Sequence, residues 1–383
     1  MGRYHSYLNS AKEILSVYKG EEPLASFLKK YFSQYKKYGS KDRRQISHFC
    51  YCYFRLGKTL IQAPIEERIK IGLLLCSSEP NDILRELKPE WNEDTNDGIE
   101  KKCSILNNQC SLFNVFPWKE ELSSGIDHEK FCESFFFQPD LFIRLRPGKE
   151  ETVKEKLQVA KIDFKIIPDS CLALDNSTKI DSIIELDQEA VVQDYNSQQI
   201  QKILPEEGIK VWDCCAGSGG KSIMAYDLNP NIQLTVSDIR ESILINLKNR
   251  FKRAGIKNYK SYILNLTKDQ RSLTNNFDLI IADVPCTGSG TWSRTPEQLF
   301  YFNTESIEKF NHLQQKIVSN VIPHLQPNGY LLYITCSVFK KENEELTDFI
   351  KEKFHLELIK MEVLKGYGKK ADTLFAALLK KTL

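Results

Sequence analysis

Asp213-Cys214-Cys215-Ala216-Gly217-Ser218-Gly219-Gly220-Lys221-Ser222 follows the short apolar run Ile209 to Trp212 and leads into a helical pattern that begins near Lys221. A strand that passes through a glycine-rich turn into a helix is a unit of an open α/β sheet. Its glycines allow a tight turn and a close approach of backbone to ligand. Further apolar runs at Gln233 to Val236, Phe277 to Ala282 and Tyr330 to Thr335 each precede a helical pattern or a polar turn, as buried parallel strands do. Ligands of such sheets sit at the carboxyl ends of the strands, so the chemistry is expected there. Standing alone, the loop indicates a nucleotide-like ligand. A Walker A loop requires Gly where Cys215 stands, and a dinucleotide fingerprint requires Gly or Ala where Ser222 stands. A purely structural glycine turn is the other alternative.

The second run ends at Ser237-Asp238, nineteen positions after Gly219, close to the roughly 20-residue offset at which a carboxylate binds ribose hydroxyls. Asp238 is therefore expected to clamp a ribose, with capping of the helix from Arg240 as the alternative. The fourth strand leads into Asp283-Val284-Pro285-Cys286-Thr287-Gly288-Ser289-Gly290, and the fifth into Thr335-Cys336-Ser337. Two cysteines thus follow successive strands, fifty residues apart, in turns where backbone amides and partial exposure lower a thiol's pKa. Beside a nucleoside cofactor, two thiols suit methylation of cytosine carbon 5. Addition of a thiolate to carbon 6 turns carbon 5 into an enamine nucleophile; after transfer, the carbon 5 proton must leave before the thiol is expelled. Asp283 is placed to hydrogen-bond the ring nitrogen or the amine. Methylation of an exocyclic amine needs only a polar clamp and a stacking aromatic, so the thiols argue for carbon.

The rest of the chain sets bounds. Its 383 residues predict two or three domains, and 41% hydrophobic with 27% charged residues exclude wholesale disorder. The longest apolar run, Ile71 to Cys76, is far short of the roughly 18 to 20 residues of a membrane span. The first residues lack a secretory pattern, so a cytoplasmic protein is expected. Eleven cysteines, an odd number with no C-x-x-C, exclude a secreted disulfide framework and a zinc site. The formal charge of +2 conceals twelve bases and four acids in residues 1 to 60, and eight acids and two bases in residues 77 to 100. The first segment carries apolar residues at helical spacing, among them Tyr7, Ile14, Leu15, Leu24, Leu28 and Phe32. The acidic segment, with Pro80, Pro89 and Gly98, is expected to be a solvated connection or a frayed helical insertion. Strand-like Leu141 to Leu145, helical Glu150 to Ala160 and strand-like Phe164 to Ile167 predict a small α+β module.

The set Cys215-Ala216-x-x-Gly219-Gly220-Lys221, Asp283-Val284-Pro285-Cys286-x-Gly288-x-Gly290 and Thr335-Cys336-Ser337 resembles the RsmB-like (Sun/Fmu-type) RNA cytosine-5 methyltransferase family over most of residues 190 to 383. Val192-Gln193-Asp194 precedes the sheet, and Asp372 to Leu379 is the expected last strand. The resemblance implies a class I, Rossmann-like methyltransferase sheet and S-adenosyl-L-methionine as cofactor. It implies that Cys215, Ala216, Gly217, Ser218, Gly219, Gly220, Lys221, Asp238, Asn265 and Asp283 hold that cofactor, with Cys336 as nucleophile and Cys286 as the residue of product release. Three positions depart from the family pattern. Gly217-Ser218 replaces the usual Ala-Pro, which loosens the loop, and Asn265 replaces an acid, its side-chain carbonyl still able to accept from the adenine amine. Arg294 in Arg294-x-Pro296 reads as an RNA phosphate contact or as an ordinary surface arginine.

Gly39-Ser40-Lys41-Asp42-Arg43-Arg44, followed by helical Ile46 to Leu56, resembles the NusB-like helical domain that precedes some members of the family, and implies a basic RNA-docking surface. A solvated helical face without a partner is the alternative. The expected organisation is an all-α NusB-like domain over 1–125, a small α+β module over 126–190 and the catalytic domain over 191–383. The expected substrate is a cytidine flipped out of structured RNA, with small-subunit ribosomal RNA favoured by the NusB-like segment over transfer RNA. A monomer without membrane contact is expected. The competing readings are a P-loop NTPase, which Cys215 argues against, and a non-catalytic RNA-binding assembly protein that retains the fold.

Overall fold

The computed structural model describes residues 2–106, 111–205, 209–268 and 276–382, so Cys110 lies outside the described residues. Two compact units separate. The first comprises Met1–Glu120, Asp127–Gln138 and Thr291–Asn303, and the second Glu121–Ile126, Pro139–Gly290 and Thr304–Leu383.

The first unit is helical. Arg3–Val17, Leu24–Gln34, Ser40–Arg55 and Ile65–Cys76 are its long helices. They bury Tyr7, Leu8, Ala11, Ile14, Leu24, Leu28, Ile46, Phe49, Ile69 and Leu73 in one core, which is the helical spacing read from the sequence. Gly72 lets two of these helices meet, since a Cβ there would stand 2.2 Å from the carbonyl oxygen of Cys52. Residues 77–100 are more ordered than a solvated connection. Asn81 caps the helix Asp82–Leu87 by accepting from the Leu84 amide at 3.0 Å, and Leu84, Leu87, Asn92, Thr95 and Ile99 are buried. The acids lie on the outer faces of short helices whose apolar residues pack inward.

In the second unit, strands β1 (Leu141–Leu145), β2 (Phe164–Ile167), β3 (Cys171–Leu174) and β4 (Ala190–Val192) form an antiparallel sheet in the order β2-β3-β1-β4. The helix Glu150–Val159 packs Val153 and Leu157 against Ile143, Leu145, Leu172 and Leu174. A second sheet contains β5 (Lys210–Asp213), β6 (Gln233–Asp238), β7 (Tyr259–Ile263), β8 (Phe277–Asp283), β9 (Leu325–Thr335), β10 (Leu356–Leu364) and β11 (Leu374–Lys381) in the order β10-β11-β9-β8-β5-β6-β7. Pairs β5/β6, β5/β8, β6/β7 and β8/β9 are parallel; β11 runs antiparallel to β9 and β10. This is the expected α/β class I methyltransferase sheet. Successive residues serve opposite faces: Val211, Leu279, Ile281, Leu332 and Ile334 join one core, and Trp212, Ile280, Ala282, Leu331 and Tyr333 the other. The strand order reverses at β5, so a crevice opens beyond the carboxyl ends of β5 and its neighbours. Asp213, Asp238, Asp283 and Thr335 are the last residues of β5, β6, β8 and β9.

Candidate active site

The loop after β5 is shaped by two glycines in the left-handed region. Gly217 has φ +51° and Gly219 φ +85°. At Gly219 a Cβ would also stand 2.8 Å from Phe251 Cε1, so the position excludes every side chain on two grounds. Gly219 then caps the helix Gly220–Leu228, whose amino terminus directs free N–H groups toward the crevice. Above the loop, the Gly217 amide donates to Asp238 Oδ2 at 3.1 Å and the Ala216 amide to the Ser237 carbonyl at 2.9 Å. The loop is thereby tied to the end of β6.

Asp238 is buried, at 7% exposure. Burial works against its charge, but hydrogen bonds from the side chain and backbone of Arg240, with the Gly217 amide, hold its carboxyl below the usual value. The Arg240 amide donates to Asp238 Oδ1 at 2.9 Å, so the carboxylate also closes a turn at the helix Glu241–Ala254. Both oxygens of Asp238 are thus engaged by Arg240 and the Gly217 amide in this structure. Asn265, beyond β7, spends its side-chain oxygen locally, accepting from the Thr267 amide at 3.1 Å and hydroxyl at 2.7 Å.

At the ends of β8 and β9 the two cysteines meet, Cys286 Sγ standing 3.2 Å from Cys336 Sγ. The hydrogen bond with Cys336, together with burial and the neighbouring Cys336 and Glu342 charges, pushes the Cys286 thiol well above its usual pKa. Lys221, from the β5 loop, donates to Asp283 Oδ2 at 2.8 Å. Burial disfavours its ammonium, but Asp283, the hydrogen bond to it and Asp213 outweigh that cost and raise its pKa. Beneath them Asp213 is fully buried and accepts from Ser222 Oγ at 2.6 Å. Burial pushes its pKa up to about 7, against the Ser222 hydrogen bond.

The structure thus brings Cys286, Cys336, Asp283 and Lys221 together, with Cys215, Ala216, Gly217, Ser218, Gly219, Gly220 and Asp238 along the adjoining strand ends. Arg294 lies in the helical unit. Two groups escaped the sequence. Arg250, on the helix after β6, donates to the Ser218 carbonyl at 3.0 Å and hydroxyl at 2.9 Å, and pairs with Asp187 at 2.7 Å. It secures the loop at the position where Gly217-Ser218 had implied looseness. Glu342 is a fully buried carboxylate that accepts from Thr287 and Ser337. The only sequence signal for it is an acid in the turn that follows Cys336. Among the described residues no cluster of potential metal ligands occurs, and no helix is long and apolar enough to cross a membrane.

Residues 200–378 match the family model of the 16S rRNA methyltransferase RsmB/F. Ribosomal RNA small subunit methyltransferase B of Klebsiella pneumoniae is 32% identical over 155 residues, which is 40% of this chain and 36% of that relative. The chain therefore spans little more than a third of the length of this curated relative. The crystal structure of PH0851 aligns with a TM-score of 0.71 over 99% of this chain and 98% of that one, at 18% identity. A methyltransferase homolog protein from Pyrococcus horikoshii aligns with a TM-score of 0.59 over 72% of this chain and 94% of that one, at 22% identity.

Proposed function

We propose, from the RsmB-like methyltransferase domain that residues 200–378 form, that the protein methylates carbon 5 of a cytidine in small-subunit ribosomal RNA. The observation that carries the reading is the pair of thiols 3.2 Å apart at the ends of adjacent strands. S-adenosyl-L-methionine is the cofactor, and the residues present fit it. The Asp238 carboxylate at the end of β6 suits ribose hydroxyls, and the loop from Cys215 to Lys221 offers backbone without obstruction, open space surrounding the Gly217 Cα. When bound, the cofactor supplies an electrophilic methyl group.

The residues of this chain do the rest. Cys336 adds to carbon 6 of the cytosine, forming a carbon–sulfur bond and making carbon 5 nucleophilic. Asp283, one oxygen of which is held by Lys221, hydrogen-bonds the polar edge of the base. Once carbon 5 carries the methyl group, its proton is removed and the bond to Cys336 breaks; Cys286 assists that release. The target atom is inaccessible within a stack, so the base is flipped out. The exposed bases Lys29, Lys30, Lys36, Lys37, Lys41 and Arg44 of the helical unit supply an RNA-docking surface with the NusB-like character expected of this segment.

Labelled methyl transfer to unmodified ribosomal and transfer RNA tests the reading. Cys336→Ala abolishes transfer, and Cys286→Ala accumulates a covalent protein–RNA adduct. Full activity of Cys336→Ala removes the nucleophile assignment, and transfer to transfer RNA alone replaces the substrate.

A further inference from the structure

Glu342 lies outside the motif set, yet its carboxylate hydrogen-bonds to both cysteine turns. Its Oε1 accepts from the Thr287 amide at 2.9 Å and from Gln314 Nε2 at 3.0 Å. Its Oε2 accepts from Thr287 Oγ1 at 2.6 Å and from Ser337 Oγ. Thr287 follows Cys286 and Ser337 follows Cys336, so one side chain, itself from the turn after β9, grips the backbone and hydroxyl of one thiol turn and the hydroxyl of the other. Gln314 also donates to the Pro285 carbonyl at 3.0 Å, which fixes the residue before Cys286 from the helix Glu305–Val321. The ring is completed by Ser289 Oγ, which accepts from the Val338 amide at 2.9 Å, and by the Gly290 amide, which donates to the Cys336 carbonyl at 2.8 Å. Only glycine fits at 290, since a Cβ there would stand 1.9 Å from the Thr373 carbonyl oxygen and 3.0 Å from that of Cys336.

A carboxylate is the only side-chain group that accepts all four of these donors at once. Burying it is costly, and burial raises its pKa against the hydrogen bonds from Ser337, Thr287 and Gln314. A purely structural link between two turns could be made by an amide or by apolar packing at lower cost. The position and donor set suit holding two sulfurs at a fixed separation instead.

We infer that Glu342 is a positioning residue that sets the distance and orientation of Cys286 relative to Cys336. This rests on the two-thiol reading above. Neither oxygen of Glu342 touches substrate in that scheme; its effect is exerted through Thr287 and Ser337.

Two readouts test it on the full chain. The first is methyl transfer by Glu342→Gln, which keeps the shape but replaces one acceptor with a donor facing other donors. The expected result is a fall in kcat of about 100-fold, the size of effect that a misplacement near 1 Å produces, with the KM for cofactor unchanged. The second needs no RNA. Diamide oxidises the thiol pair to a Cys286–Cys336 disulfide, each thiol losing its hydrogen to the reagent, and peptide mapping by mass spectrometry follows the rate. Wild type cross-links readily and Glu342→Gln more slowly. Thr287→Val and Ser337→Ala, which each remove one hydroxyl from opposite turns, give intermediate values, and they decide the matter if Glu342→Gln does not fold. Wild-type kcat and wild-type cross-linking in these variants overturn the inference, as does a parallel loss of kcat, cofactor binding and melting temperature. A wild-type protein that cross-links but transfers no methyl group overturns the functional reading instead, and the cross-linking series still decides the role of Glu342.

Discussion

Asp213→Asn isolates the cost of the charge buried under the glycine loop after β5. Asp213 ends β5, is fully buried, and leaves Oδ1 without a hydrogen-bond partner among the described residues while Oδ2 accepts from Ser222. Burial raises its pKa from 3.8 to about 7. A group whose folded pKa lies above its unfolded one binds more protons in the folded state between those values, so stability falls as pH rises through that window and levels off above it. Between pH 5 and pH 7 the loss approaches about 1.36 kcal/mol per pH unit and tapers near pH 7, or roughly 2.3 kcal/mol in all, from this residue alone. Asn carries no such titration. Its buried NH2 group costs a further ~1 to 3 kcal/mol, but equally at every pH. Urea unfolding at pH 5, 6, 7 and 8 is the assay, followed by fluorine NMR of fluorotryptophan-labelled protein. Trp212, beside Asp213 and fully buried, is the tryptophan of the second unit. The wild type should lose stability relative to the variant up to about pH 7 and then run parallel to it. Parallel curves throughout would show that Asp213 stays ionised, and would refute the burial argument.

Two further perturbations concern the loop itself. Gly219→Ala places a Cβ 2.8 Å from Phe251 Cε1 at φ +85°; it should cost about 2 to 4 kcal/mol in thermal or urea unfolding of the second unit, from strain and overpacking together. Arg250→Ala removes two hydrogen bonds to Ser218 and leaves the Asp187 carboxylate paired with Arg253. With roughly 1 kcal/mol for each of the two lost bonds, cofactor binding measured by calorimetry should weaken by about thirtyfold.

What the sequence disclosed and what it withheld follow from distance along the chain. β1, the following helix and β2 were legible within a residue, because each has a local period and ends in turn residues. β3 was missed since Cys171-Leu-Ala-Leu174 is four apolar residues with no alternation, and β10 since it is an edge strand exposing most of its side chains. The site divides the same way. The glycine loop, Asp238 and the two cysteines stand where strands end, and a strand end is readable. Arg250 sits in a helix that reads as an ordinary solvated face, and its partner Asp187 lies 63 positions earlier. Glu342 reaches Thr287 across 55 positions. Pairings of that kind leave no periodic trace, and here they correct the expectation of a loose loop at Gly217-Ser218.

The surroundings of the thiols also bear on a question that spacing left open, namely which of two equivalently placed cysteines does which task. Cys286 is flanked by Glu342 and by Cys336, and both disfavour its thiolate. Cys336 also stands close enough to Lys221 to count among the groups that favour the Lys221 ammonium. A residue that assists release holds a proton in the resting state. The raised Cys286 thiol thus suits the release role proposed for it. Lys221 also connects the glycine loop to the thiol site, because the same residue that bonds Asp283 begins the helix behind Gly219. A change in that loop is then expected to alter thiol chemistry as well as cofactor affinity.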